Sequence, residues 1–137
     1  MMEEALTDLL LGHAPLQAIV GKRVHWLLQP RGVSGFPYLN LTVVSDPRAY
    51  HMAGQSGLRQ TRVQVDMWAE TYAAAKAASR VITDEAFLSG YAGKKGGINF
   101  QKIGIGGERD LTDQTTGEER QLFRISVDLE ISWNKEN

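Results

Sequence analysis

A chain of 137 residues that is 42% hydrophobic and 23% charged has one domain's worth of length and enough apolar surface for a core. Its formal net charge of −1 argues against a dedicated nucleic-acid binder, and the lack of cysteine excludes disulfides, thiolate chemistry and Cys-type zinc sites. No apolar run approaches the ~20 residues that span a bilayer, and Met1-Met2-Glu3-Glu4 lacks the basic start of a secretory signal, so the expectation is a soluble protein made in a cytoplasm, with no membrane partner.

In chain order, Glu3 to Leu11 reads as a helix, with Ala5, Leu6, Leu9 and Leu10 at helical spacing and two carboxylates in the first turn. Pro15 starts a second short turn, Leu16 to Val20, which Gly21 ends. Arg23 to Leu28 is a candidate short strand, followed by an irregular crossing marked by Pro30, Gly32, Gly35 and Pro37. Tyr38 to Ser45 alternates, with Leu39, Leu41 and Val43 on one face. Asp46 to Arg59 breaks every period and reads as a long hairpin loop.

Thr61 to Trp68 alternates again, Val63, Val65 and Met67 against Arg62, Gln64 and Asp66. Thr71 caps an alanine-rich helix running to Leu88, with Ala75, Ala78, Ile82 and Ala86 at helical spacing. Ser89 to Gly97 reads as a glycine-rich loop. Ile98 to Gly106 is a strand whose alternation slips between Phe100 and Ile103, the mark of a bulge. After a polar stretch with a turn at Thr116-Gly117, Phe123, Ile125, Val127, Leu129, Ile131 and Trp133 alternate without a fault. The predicted fold is α+β: a single domain over 1–137, an antiparallel sheet of about four strands with helices packed on one face.

Chemistry is sparse. His13, His25 and His51 have no metal-ligand spacing, and Gly104-Ile105-Gly106-Gly107 lacks the spacing and following helix of a dinucleotide loop. Asp66, Asp128 and Glu130 lie among Arg62, Gln64 and Arg124 on strand faces turned to solvent, where cross-strand pairing explains them. No catalytic residue, cofactor or metal ligand is assigned. Trp68, with Arg62 and Gln64, sits on this polar face, which is either edge packing or a subunit contact. The loop residues Tyr50, His51, Met52, Gln55 and Arg59 are candidates for contacting a partner, since aromatic, Met and Arg side chains concentrate where proteins meet.

Several stretches carry a family likeness. They are Leu16-Gln17-Ala18-Ile19-Val20-Gly21 with Arg23-Val24, then Phe36-Pro37-Tyr38-Leu39, then Arg62-Val63-Gln64-Val65-Asp66-Met67-Trp68-Ala69 before Tyr72-Ala73-Ala74-Ala75-Lys76, and finally Leu122-Phe123-Arg124-Ile125-Ser126-Val127-Asp128-Leu129. Together they resemble the tail completion, or tail terminator, proteins of long-tailed bacteriophages and related phage-derived particles. The resemblance implies a structural virion protein rather than an enzyme. It implies a ring, usually of six copies, that caps the head-proximal end of the tail tube, stops tube polymerisation and docks the head connector. The implied partners are the chain itself, the tail tube protein and a head completion or connector protein, with DNA only as passing cargo. The readings set against it are an interaction module outside any virion, and a small hydrolase-type enzyme with a cleft built from the Tyr50–Arg59 loop, His25 and a carboxylate.

Overall fold

The computed structural model describes residues 2–27, 35–45, 48–51, 54–84, 87–112 and 121–135, with backbone alone for 48–51 and 54–57. Helix α1, Met2–Leu11, buries Met2, Ala5, Leu6 and Leu10. Helix α2, Ala14–Val20, has Pro15 in its first turn and ends where Gly21 takes a φ of 59°. Then come β1 (Val24–Trp26), β2 (Tyr38–Ser45), β3 (Arg48–His51), β4 (Gly54–Ala69), α3 (Tyr72–Ile82), β5 (Tyr91–Lys95), β6 (Ile98–Asp110) and β7 (Phe123–Lys135). Met52, Ala86, the crossing at Pro30 and Gly32, and the turn at Thr116-Gly117 lie outside the described residues.

The sheet has seven strands where about four were expected, in the order β1-β2-β4-β7-β6-β5, with β3 paired to β4. The added strands are short or glycine-bearing and carry no alternation of their own. Asp46 to Arg59, expected as a loop, contains β3 and the first residues of β4, whose register sets Tyr50 against Gln55 and His51 against Gly54. Ser89 to Gly97, also expected as a loop, contains β5. Gly96 and Gly97 hold φ of 56° and 79° between Lys95 and its partner Ile98, the double positive φ that a two-residue hairpin turn requires. The sheet is not wholly antiparallel. β1 runs parallel to β2, Val24 pairing with Leu39 and Trp26 with Leu41.

Helix α3 begins as expected, Thr71 Oγ1 accepting from Ala74 N at 3.2 Å. It ends at Ile82 rather than Leu88. The Thr83 N–H and hydroxyl both turn onto the Ser79 carbonyl, and Asp84 N bonds the Val81 carbonyl, which closes the last turn. Five alanines in and around its first turns keep the helix thin, so it lies directly on β4 and β7. A contact on the sheet fixes it further: Glu108 of β6 accepts from Ser79 Oγ at 2.5 Å and from Lys76 Nζ at 2.9 Å. Below it Val63, Val65, Met67, Val127, Leu129 and Ile131 join one continuous core with the apolar faces of all three helices. The bulge read from sequence is present as a register shift between Phe100 and Lys102, and β6 pairs with β7 as expected.

The sheet curls. Laid flat, its edge strands β1 and β5 would stand five inter-strand spacings apart, about 24 Å. Yet α1 touches both. Trp26 Nε1 of β1 donates to Thr7 Oγ1 at 2.8 Å, while a Cβ at Gly96, beside β5, would sit 3.6 Å from Ala5. A helix with its side chains is only about 10–12 Å across, so the edges must bend towards each other with α1 between them.

Candidate functional site

The sheet face away from the helices is covered by no element among the described residues, and its side chains organise one another. In register, His25, Asn40, Asp66, Ser126 and Arg109 form one row across β1, β2, β4, β7 and β6. The next row aligns Tyr38, Trp68 and Arg124. Arg124 pairs with Asp66 at 3.1 Å and lies over the Trp68 ring, 5.2 Å from its centroid. Gln64 Nε2 donates to both Asp66 oxygens at 3.1 and 3.3 Å. Arg109 grips Asp128 with two bonds of 2.8 and 3.1 Å, and Arg62 pairs with Glu130 at 2.8 Å. Three arginines thus neutralise three carboxylates on this face.

Trp68 and Tyr38 stack at 6.4 Å and 15°, with His25 and Phe36 tilted against Tyr38 at 5.9 and 5.4 Å. Burial lowers the pKa of His25, so its ring is held neutral more readily than a free imidazole. Burial, followed by the charge of Asp66, raises that of Tyr38. Although the face carries no covering helix, Asp66 and Ser126 are buried within it beneath longer neighbours. The buried atoms His25 Nε2, Asn40 Oδ1, Arg124 Nε and Ser126 Oγ find no hydrogen-bond partner among the described residues. Such groups are costly in a closed interior and invite polar contact from outside.

The residues singled out from sequence separate into two places. Arg62, Gln64 and Trp68 lie together on the polar face, each engaged in the network above. Arg59 lies at the root of the β3–β4 ribbon, over the Trp133 ring at 4.7 Å. Tyr50, His51 and Gln55 are on that ribbon by backbone position. Sequence reading missed how Asp66 pairs with Arg124 and Asp128 with Arg109, because these partners lie on different strands. It also missed a groove between α1 and β2, which no periodicity marks.

A catalytic arrangement is not assembled by the candidates weighed from sequence. His13 stacks flat on Phe87 at 3.7 Å, His25 packs on Tyr38, and His51 is on β3. Among the described residues no group of three or more His, Cys, Asp or Glu could hold a metal ion. Ser79, Lys76 and Glu108 do converge, but Ser79 is buried against the sheet and the trio pins α3 in place. Among the described residues no helix is long and apolar enough to cross a membrane.

The family model described as tail completion protein gp17 matches residues 4–133. A chain of the virion of a native gene transfer agent particle superposes with a TM-score of 0.67, at 19% identity, covering 97% of this chain and 94% of that one. At that identity the likeness is one of fold. A second solved chain, 20% identical over 95% of this chain and 89% of its own, reaches a TM-score of only 0.43 and carries no argument. No curated protein matches.

Proposed function

The chain belongs to the tail completion protein gp17 family, and from that premise we propose that it assembles as a ring, of six copies, on the head-proximal end of a phage-type tail tube. The ring stops tube polymerisation and offers its outer face to a head completion or connector protein, while DNA passes through its centre. The observation that carries this reading is the family match over residues 4–133. The physical features support it. A closed ring needs one surface to meet a different surface of the next copy. The polar sheet face is suited to such a contact: three ion pairs take up the charges of Arg62, Arg109 and Arg124, Trp68 and Tyr38 give it aromatic area, and its orphaned polar atoms can be satisfied from outside.

On this reading Arg62, Gln64 and Trp68 lie in a subunit contact, and Tyr50, His51, Met52, Gln55 and Arg59 belong to a partner-contacting ribbon. The protein works as a structural part of the virion tail, assembled in the bacterial cytoplasm, and not as an enzyme. Mass measurement of the purified protein, alone and with isolated tail tubes, tests the proposal. A hexamer in solution or on tube ends is expected. A protein that stays monomeric and never binds tube ends overturns it.

A further inference from the structure

Where β1 stops, a groove of about 650 Å³ opens between α1 and β2. Its apolar floor is Trp26, Leu27 and Val43, and its rim is acidic, with Glu3, Glu4 and Asp8 of α1. Leu27 is 64% exposed and holds a φ of 69°, so the fold keeps a large apolar side chain in water at a backbone conformation that L residues rarely adopt. β1 pairs only with Leu39 to Leu41, and among the described residues no strand continues its line beside Val43 and Val44.

The opposite edge of the sheet has the reverse character. β5 is last in the strand order, so one side of Tyr91–Lys95 pairs with β6 and the other faces no described strand. Ala92, Lys94 and Lys95 are exposed on it. Charge is divided between these two edges. From Met1 to Gly21 the sequence holds Glu3, Glu4 and Asp8 and no Lys or Arg, whereas from Ser89 to Gly107 it holds Lys94, Lys95 and Lys102 and no Asp or Glu. Within one protomer the two sets stay apart. Ala5 of α1 meets the end of β5 at Gly96 and Thr7 meets Trp26 of β1, and residues two apart on a helix point about 200° from each other. The groove and the β5 edge therefore flank α1 on opposite sides, and Glu3, Asp8 and Lys95 enter no ion pair among the described residues.

We propose that the groove between α1 and β2 receives the β5 edge of a second copy of this chain, main chain to main chain along β2 and lysine to carboxylate along α1. β5 spans about 17 Å and α1 about 15 Å, so the incoming strand runs the length of the helix. Lysines on an edge strand ordinarily deter strand addition, and an acidic rim removes that deterrent for this one partner. The contact is heterologous, with its two halves on opposite sides of the protomer, so repetition about an axis closes a ring and leaves neither edge free. This deepens the ring reading and rests on it.

The chain has no cysteine, which makes cross-linking clean. Leu27→Cys and Ala92→Cys stand at exposed positions on the two halves of the contact and keep every charge. Co-expressed, with one of them tagged for size, and treated with a short bis-maleimide under native conditions, the two variants should give a cross-linked dimer containing one of each. Either variant alone should stay monomeric on denaturing gels. Dimers of a single variant in place of the mixed product, or no mixed product in a preparation that forms rings, overturn the proposal. Charge reversal gives a second readout in the full-length protein. Asp8→Lys or Lys95→Glu should weaken self-association about tenfold or more, and the two combined should restore it, with thermal unfolding unchanged throughout. If the unmodified chain forms no ring in solution or on tube ends, the ring reading itself fails. If it forms rings and both single reversals do so equally well, the ring stands and the edge-in-groove contact alone is wrong.

Discussion

Replacing Leu129 with alanine tests the two-faced character of the sheet against its neighbour in sequence, Glu130. Leu129 is fully buried, with Val63 and Ile105 as its register partners on either side and α3 packed on its strand. Truncating such a side chain removes its transfer free energy and leaves a cavity that closely packed β4 and β6 cannot collapse into, at a cost of about 2–5 kcal/mol. For a domain of this size each kcal/mol lowers Tm by about 4 °C, so the expected fall is about 8–20 °C. Glu130 points the other way and pairs with Arg62, the two side chains being 54% and 49% exposed. Solvent screens that pair, and Glu130→Ala should cost about 1 kcal/mol or less. Thermal unfolding followed by circular dichroism at matched concentration compares the two. Equal shifts, or a larger one for Glu130→Ala, would refute the assignment of faces on which the core rests.

Ile125→Asp, which places a charge in the same buried row, should abolish cooperative unfolding or give insoluble protein, read by melting and solubility. Thr71→Ala should lower stability by about 1 kcal/mol in chemical denaturation, since it removes the acceptor for Ala74 N. The Glu108 carboxyl is held below its usual 4.5 first by the Ser79 hydroxyl and then by Lys76. Its contribution is therefore present above pH 4.5 and is lost as pH falls through the lower folded value. Between pH 6 and pH 3 the natural protein should lose more stability than Glu108→Gln, the two melting curves converging at the acid end. The protein should bind duplex DNA at physiological salt no tighter than about 10⁻⁴ M by fluorescence anisotropy, since the arginines of its open face are already paired.

The strands that were legible in sequence are those with one face in the core. Phe123 to Trp133 and Thr61 to Trp68 alternate because each buried side chain is followed by a solvated one, and that period survives without knowledge of the partner strand. β5 was hidden for the opposite reason. Its Ala92, Lys94 and Lys95 are exposed, so it is an edge strand defined by main-chain bonds and by the Gly96-Gly97 turn, not by apolar spacing. The end of α3 was misjudged because Thr83 and Asp84 fit a helical pattern, while the hydrogen bonds that stop the helix are made by the backbone. On the polar face, side-chain type showed that charges would pair but not how, since Arg109 reaches Asp128 and Arg124 reaches Asp66 only after three strands have been set in register. The groove was invisible because α1 and β2 meet there without sharing a pattern.

The position of α1 between the two sheet edges has a consequence for the order of events during synthesis. Its first neighbour, Trp26, leaves the ribosome soon after it, but the second, the β5–β6 turn at Gly96, follows roughly 85 residues behind the end of the helix. At about 5–20 residues per second that interval lasts about 4–17 s. Throughout it Met2, Leu6 and Leu10, buried in the finished fold, have only part of their final surroundings. Once β5 docks, a single helix bridges both edges of the sheet, so the change from an association-prone nascent chain to a closed protomer is abrupt. Any lesion that loosens α1 should therefore expose both edges in one step, and the damage should show as aggregation before it shows as loss of secondary structure.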